Sequence, residues 1–122
     1  MTKSIKTKVL IADDERIIAN TLATILNQSG FDARAVYSGE EAVATAEIFR
    51  PDLLISDVVM GGITGIEAAI KIRNRLPACK TLLFSGQAAT AALLQSAEAD
   101  GYNFELLMKP VYPGDLLAKL RA

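Results

Sequence analysis

Five side chains in this sequence could do chemistry together: Asp13, Asp14, Asp57, Ser85 and Lys109. Each follows a short apolar run. Lys8-Val9-Leu10-Ile11-Ala12 leads into Asp13-Asp14, Leu53-Leu54-Ile55-Ser56 into Asp57, Thr81-Leu82-Leu83-Phe84 into Ser85, and Leu106-Leu107-Met108 into Lys109. If these runs are neighbouring parallel strands, the carboxylates converge on the C-terminal rim of one sheet, where ligands of open α/β sheets collect. At about 4 Å and an effective dielectric near 20, each like-charge pair would cost roughly 4 kcal/mol. Such a cluster calls for a cation or a raised pKa. Oxygen-only donors specify a hard ion, Mg2+ or Mn2+, rather than zinc. An aspartate nucleophile can accept a phosphoryl group to form an acyl phosphate. That transfer depends on neutralising the phosphoryl oxygens more than on covalent help. A bound cation would supply one part, Lys109 a point charge and the Ser85 hydroxyl a hydrogen bond. Gly86 leaves room for the phosphoryl group.

The elements that must position these residues are legible in the periodicity. Strands are predicted at about 8–12, 31–37, 52–57, 80–84 and 104–108. Helices are predicted at about 15–28, 39–49, 65–75 and 88–98, with a last one opened by Pro113. Ile18, Leu22, Ile25 and Leu26 form the apolar stripe of the first helix, and Gly30 suits the position past its end. Ser38 and Glu41 have the spacing of a capping box for the second, which turns Ala42, Val43, Ala46 and Phe49 inward. The fourth helix is rich in alanine, with bulk only at Leu93 and Leu94. Five strands alternating with five helices make an α/β domain with a parallel sheet.

Composition narrows the function. The chain has 122 residues, which is one domain of 1–122 with a real core, and 51% of them are hydrophobic. The shortness of the last helix fits a piece excised from a longer chain. No apolar run is long enough to span a bilayer, and no signal-peptide pattern opens the sequence. Thirteen basic and fourteen acidic residues leave a net charge of −1, with no Lys/Arg block to serve as a nucleic-acid face. The lone Cys79 excludes an internal disulfide and fits a cytoplasmic location. With no His at all, His-dependent triads and His metal sites are excluded.

Taken singly, each site residue has an ordinary reading: a helix cap, a turn, a loop hydroxyl, a solvated lysine. Taken together, on four ordered strand ends, they match the five signature positions of the response-regulator receiver domains of two-component systems, which the whole chain resembles. The resemblance implies a flavodoxin-like doubly wound (βα)5 fold with sheet order 2-1-3-4-5. It implies Mg2+-dependent phosphorylation of Asp57, with Ser85 and Lys109 assisting, and a cis Lys109-Pro110 bond. It further implies metal ligation chiefly by Asp14 and Asp57, with Asp13 helping through a water and the Val59 backbone carbonyl completing the set. The expected donor is a sensor histidine kinase or phosphotransfer protein, and the expected readout a downstream protein or an output domain beyond these residues. Neither membrane nor direct nucleic-acid contact is expected of this domain, nor any enzymatic activity beyond its own phosphoryl transfer and dephosphorylation.

The sequence departs from the family pattern at several points. Gly61 follows Met60 where proline is usual, so Gly61-Gly62 is expected to loosen that loop. Leu106 stands where an aromatic is usual, three residues before Lys109, and the segment 99–105 before it is unusual in composition. A haloacid-dehalogenase-type phosphatase would need an acid at Val59, and a flavodoxin would not place Asp13-Asp14-Glu15 against a phosphate. The remaining alternative is a receiver-like binding module that works without phosphorylation.

Overall fold

The computed structural model describes residues 5–86, 90–109 and 112–121. The elements alternate as β1 (Lys8–Ala12), α1 (Arg16–Gln28), β2 (Asp32–Val36), α2 (Gly39–Phe49), β3 (Leu53–Asp57), α3 (Gly65–Arg75), β4 (Lys80–Ser85), α4 (Thr90–Ala99), β5 (Glu105–Met108) and α5 (Pro113–Arg121). All strand pairs are parallel, in the order β2-β1-β3-β4-β5. The fold is the flavodoxin-like, doubly wound arrangement that the resemblance implies. Predicted boundaries hold to within one or two residues, the largest changes being the loss of Phe31, Tyr37 and Phe104 from strands and the gain of Ser85. The predicted start of the fourth helix and the Lys109-Pro110 peptide bond fall on residues outside those described.

Strand alternation distributes the core to both faces of the sheet. Val9 and Ile11 point to α1 and α5, packing with Ala19, Leu22, Leu26 and Leu116. Leu10, Ala12 and Leu54 point the other way, to Ala42, Ala46 and Phe49 of α2 and to Ala69 and Ile72 of α3. A smaller cluster of Val58, Ile66, Leu83 and Ala97 lies between α3 and α4. No helix among the described residues is long and apolar enough to cross a membrane.

The helix ends show how local chemistry sets the frame. Gly30 has φ +95°, so it takes the left-handed turn that releases the chain from α1 into β2. Ser38 Oγ accepts from the Glu41 N–H at 3.0 Å, as predicted. The Glu41 carboxylate, however, reaches the Tyr37 N–H at 2.9 Å rather than that of Ser38, which ties α2 back to the end of β2. The complete capping box is on α3, where Thr64 and Glu67 exchange both bonds. Its Thr-x-x-Glu spacing was present in the sequence.

Candidate functional site

β1, β3, β4 and β5 lie side by side, so the residues at their C-terminal ends share one rim. The Asp13 N–H donates to the Val36 carbonyl at 3.1 Å, which continues the β1–β2 ladder by one residue. Asp13 is therefore held in extended backbone with its side chain fully buried, while Asp14 beside it is exposed. Neither caps α1. Glu15 is the N-cap and makes no side-chain cap bond; instead its N–H donates to Asp13 Oδ1 at 2.9 Å. Asp57 closes β3 in register with Phe84 of β4, and its Oδ1 accepts from the Val58 N–H at 2.8 Å. Ser85, buried at the end of β4, is in register with Met108, and its carbonyl accepts from the Lys109 N–H at 3.0 Å.

Lys109 joins the two sides of the rim. Its Nζ donates to Asp57 Oδ2 at 3.0 Å and lies 3.5 Å from Asp13 Oδ2 and 3.6 Å from Glu15 Oε1. It also sits 5.2 Å from the centre of the Phe84 ring, a cation–π contact that fixes its stem over the sheet. Burial works to lower the pKa of this ammonium. The hydrogen bond to Asp57, with the charges of Asp57, Asp13 and Glu15, outweighs burial and raises it. Burial holds the Asp13 carboxyl above the usual carboxylate range, and the Asp57 and Glu15 charges add to the effect. The Glu15 N–H and Lys109 oppose it without cancelling it.

Asp13, Asp14 and Asp57 each present a carboxylate oxygen within 4.8 Å of the others. The buried Asp13 Oδ2 has no hydrogen-bond partner among the described residues. A buried anionic oxygen is costly without a partner, and a lysine at 3.5 Å meets that need only in part. Three all-oxygen donors around such an atom suit a hard divalent cation.

The loop from β3 to α3, expected to be loose, carries one restraint from another element. Gly61 is in the left-handed region at φ +88°, and Gly62, also exposed, faces the end of the Glu40 side chain. A Cβ on Gly62 would stand 2.5 and 2.6 Å from the two Glu40 carboxylate oxygens, and Glu40 Oε2 accepts from the Ile63 N–H at 3.1 Å. Met60 is buried against α2 and α3. Val59, between the loop's anchored start and Met60, is partly exposed. At the loop's far end, a Cβ on Gly65 would collide with the Asp57 carbonyl oxygen, so α3 begins in direct contact with the end of β3.

Leu106, in the place where an aromatic was expected, is half-buried in the α3–α4 cluster beside Leu83 and Ala97. Phe104 packs there too, as strand parity predicts, and stacks on Tyr102 with ring centroids 6.2 Å apart. Sequence reasoning missed two partners, Glu15 for Lys109 and Glu40 for Ile63. Both are glutamates whose partner lies across the fold, and no local spacing could have marked them.

Comparison with known proteins agrees with this geometry. The response regulator receiver domain family matches residues 9–121. The chain is 26% identical over 121 residues to the DNA-binding response regulator MtrA of Mycobacterium tuberculosis, covering 98% of this chain and 51% of that protein. It is 31% identical over 117 residues to the alkaline phosphatase synthesis transcriptional regulatory protein PhoP of Bacillus subtilis, covering 94% and 47%. This chain thus spans about half the length of these curated relatives. Among solved structures, a CheY-like response regulator receiver domain protein from Methanospirillum hungatei superposes with TM-score 0.85 at 25% identity, covering 96% of this chain and 92% of that one. The chemotaxis protein CheY4 of Vibrio cholerae superposes with TM-score 0.83 at 29% identity, covering 96% and 98%. With the fold, the rim and these likenesses in accord, the chain belongs to the family of response regulator receiver domains.

Proposed function

We propose that this domain accepts a phosphoryl group on Asp57 from a histidine kinase or phosphotransfer protein and passes the change in charge to a partner-binding face. The observation that carries the reading is the 3.0 Å bond from Lys109 Nζ to Asp57 Oδ2, set beside the Asp13–Asp14–Asp57 cluster. Asp13, Asp14 and Asp57, with the Val59 carbonyl, would hold Mg2+ or Mn2+. When bound, that ion supplies positive charge to the phosphoryl oxygens. Asp57 is the nucleophile: one carboxylate oxygen attacks phosphorus as the P–N bond of the donor phosphohistidine breaks, and the imidazole leaves. Lys109 already has its ammonium at the carboxylate, so it can follow the negative charge onto the phosphoryl oxygens without a long excursion. The Ser85 hydroxyl, at the adjoining strand end, donates to another of those oxygens.

Most of the catalysis in such a transfer is positioning and charge neutralisation, which these residues provide from neighbouring strand ends. The chain acts as a signalling module in the cytoplasm and not as an enzyme with a separate substrate. Its readout is an output domain or a separate protein, since its sequence has no block of Lys and Arg to make a nucleic-acid face. Acetyl phosphate with Mg2+ tests the reading. The wild type should gain one phosphoryl mass by intact-mass measurement, and Asp57→Asn none. Equal labelling of the Asn variant would overturn the assignment, and no labelling of the wild type would favour a binding module that works without phosphorylation.

A further inference from the structure

We infer that Glu40, at the start of α2, is a positioning residue for the divalent-cation site, and that it stiffens a loop whose own sequence is loose. The inference rests on the cation site proposed above. Residues 59–63 include two adjacent glycines, and Gly has more conformational freedom to lose than any other residue. The loop must nevertheless hold the Val59 carbonyl at a fixed place beside Asp57. Its near end is fixed, because Val58 donates to the Phe84 carbonyl at 3.3 Å and accepts from the Gly65 N–H at 2.8 Å. The buried Met60 side chain fixes the middle. Between Met60 and the Thr64 cap, the polar restraint is the bond from the Ile63 N–H to Glu40 Oε2 at 3.1 Å.

Three further details show that this contact is built. Glu40 and Glu41 open α2, where carboxylates are favoured, so α2 holds the side chain at the loop. Gly39 lets the helix start approach closely, since a Cβ there would stand 2.6 Å from Ile63 Cγ1 and 2.9 Å from its carbonyl oxygen. Gly62 gives the carboxylate its seat, and any side chain at that position would displace it. The lowered pKa of Glu40, caused by its own backbone N–H and that of Ile63 with a smaller contribution from Lys71, agrees with a carboxylate held in place. Among the described residues Glu40 makes no bond to the three aspartates or to Lys109, and its bond is to the loop, so it acts through the loop.

The experiment compares Mg2+ affinity by calorimetric titration in the wild type, Glu40→Ala, Glu40→Gln, Gly62→Ala and the Glu40→Ala/Gly62→Ala double variant. Amide exchange at Ile63 is measured in parallel in metal-free protein. Glu40→Ala should weaken Mg2+ binding by roughly three- to tenfold, the order of one exposed charge-assisted bond, and should speed Ile63 exchange by a similar factor. Glu40→Gln keeps an acceptor oxygen and should restore most of both, which separates positioning from the general pull of a negative charge. Gly62→Ala should reproduce the Glu40→Ala effect, and the double variant should be no worse than either single one. Asp14→Asn is the control for the site itself. If Asp14→Asn binds Mg2+ like wild type, the proposed cation site is overturned. If Asp14→Asn loses binding while Glu40→Ala keeps wild-type affinity and Ile63 exchange, the site stands and Glu40 has no part in it. If Glu40→Gln is as weak as Glu40→Ala, charge and not position is responsible, and the inference fails.

Discussion

Along β1 and β3, Val9, Leu10, Ile11, Leu54 and Ile55 have no exposure at all, whereas no residue of β5 is fully buried and Met108 is 63% exposed. The helices repeat the contrast. α1 buries Ala19, Leu22, Ala23 and Leu26; α5 buries only Leu116, and among its described side chains α4 buries only Ala97. The centre of the sheet, β4 included, is a saturated core, and packing thins toward the edge formed by α4, β5 and α5. Asp13 and Asp57 belong to the first, Lys109 to the second. The lysine–aspartate bond therefore crosses from the part of the molecule that is hard to move to the part that is easy to move. In the proposed function a change of charge at Asp57 would act on the thin side, because low packing density means low cost of rearrangement.

The strongest way to break this comparison is to switch the domain. A shift from about 1:99 to 99:1 requires roughly 5.5 kcal/mol of differential stabilisation. A few bonds to a phosphoryl group, at about 1.5–3 kcal/mol each, are of the right size. With beryllofluoride and Mg2+ as a phosphoryl mimic, amide exchange should change most across residues 90–103 and stay constant in β1 and β3. A response confined to α5, with 90–103 silent, would remove α4 as the reporter.

Core truncation gives the next largest effect. Leu54→Ala, in the saturated half, should cost about 2–5 kcal/mol in urea unfolding. Leu106→Ala, half-buried, should cost about 1–2 kcal/mol, since less apolar surface returns to water. Equal costs would mean that the two halves do not differ in the way burial indicates.

A smaller effect comes from Asp13. Its folded pKa is raised, so its favourable contribution is fully present below its unfolded pKa and is lost as pH rises through the folded value. In metal-free buffer near neutral pH, Asp13→Asn should therefore be more stable than wild type by about 1 kcal/mol, the lower end of the cost of a buried unsatisfied group. The advantage should shrink as pH falls into the carboxylate range. Melting temperatures from pH 4 to 8 would check it, and a pH-independent difference would point to packing instead.

The smallest effect belongs to the Lys119–Glu105 ion pair, which ties the end of α5 to the start of β5. Lys119→Ala should change stability by less than about 0.5 kcal/mol, and less still in high salt, because both side chains are exposed. A large loss would show that the thin half relies on this tie.

The frame of the molecule was legible because its signals are local. Apolar runs with short breaks located every strand, and Gly30, Ser38 and Pro113 marked helix ends within a residue or two of those observed. The rim followed from topology, since all its members stand at strand ends. What local pattern could not give was the inequality of Asp13 and Asp14. That depends on one more ladder bond, from Asp13 to Val36, which buries the first carboxylate and leaves the second outside. The restraint on the Gly61-Gly62 loop was out of reach for a related reason. Two glycines do favour looseness in isolation, but the restraint comes from Glu40, a residue on another element. Glu15 likewise gains its importance only when β5 brings Lys109 across the sheet.

The contact between Gly65 and the Asp57 carbonyl has a mechanical consequence. With no side chain to separate them, and with the Ser56 hydroxyl donating to that same carbonyl at 2.8 Å, the first turn of α3 is set like a backstop behind Asp57. When charge is added at the carboxylate end, the peptide unit behind it has nowhere to recoil. In the proposed function Asp57 would serve as a fixed post, and the motion that carries the signal would be made by the groups that come to it.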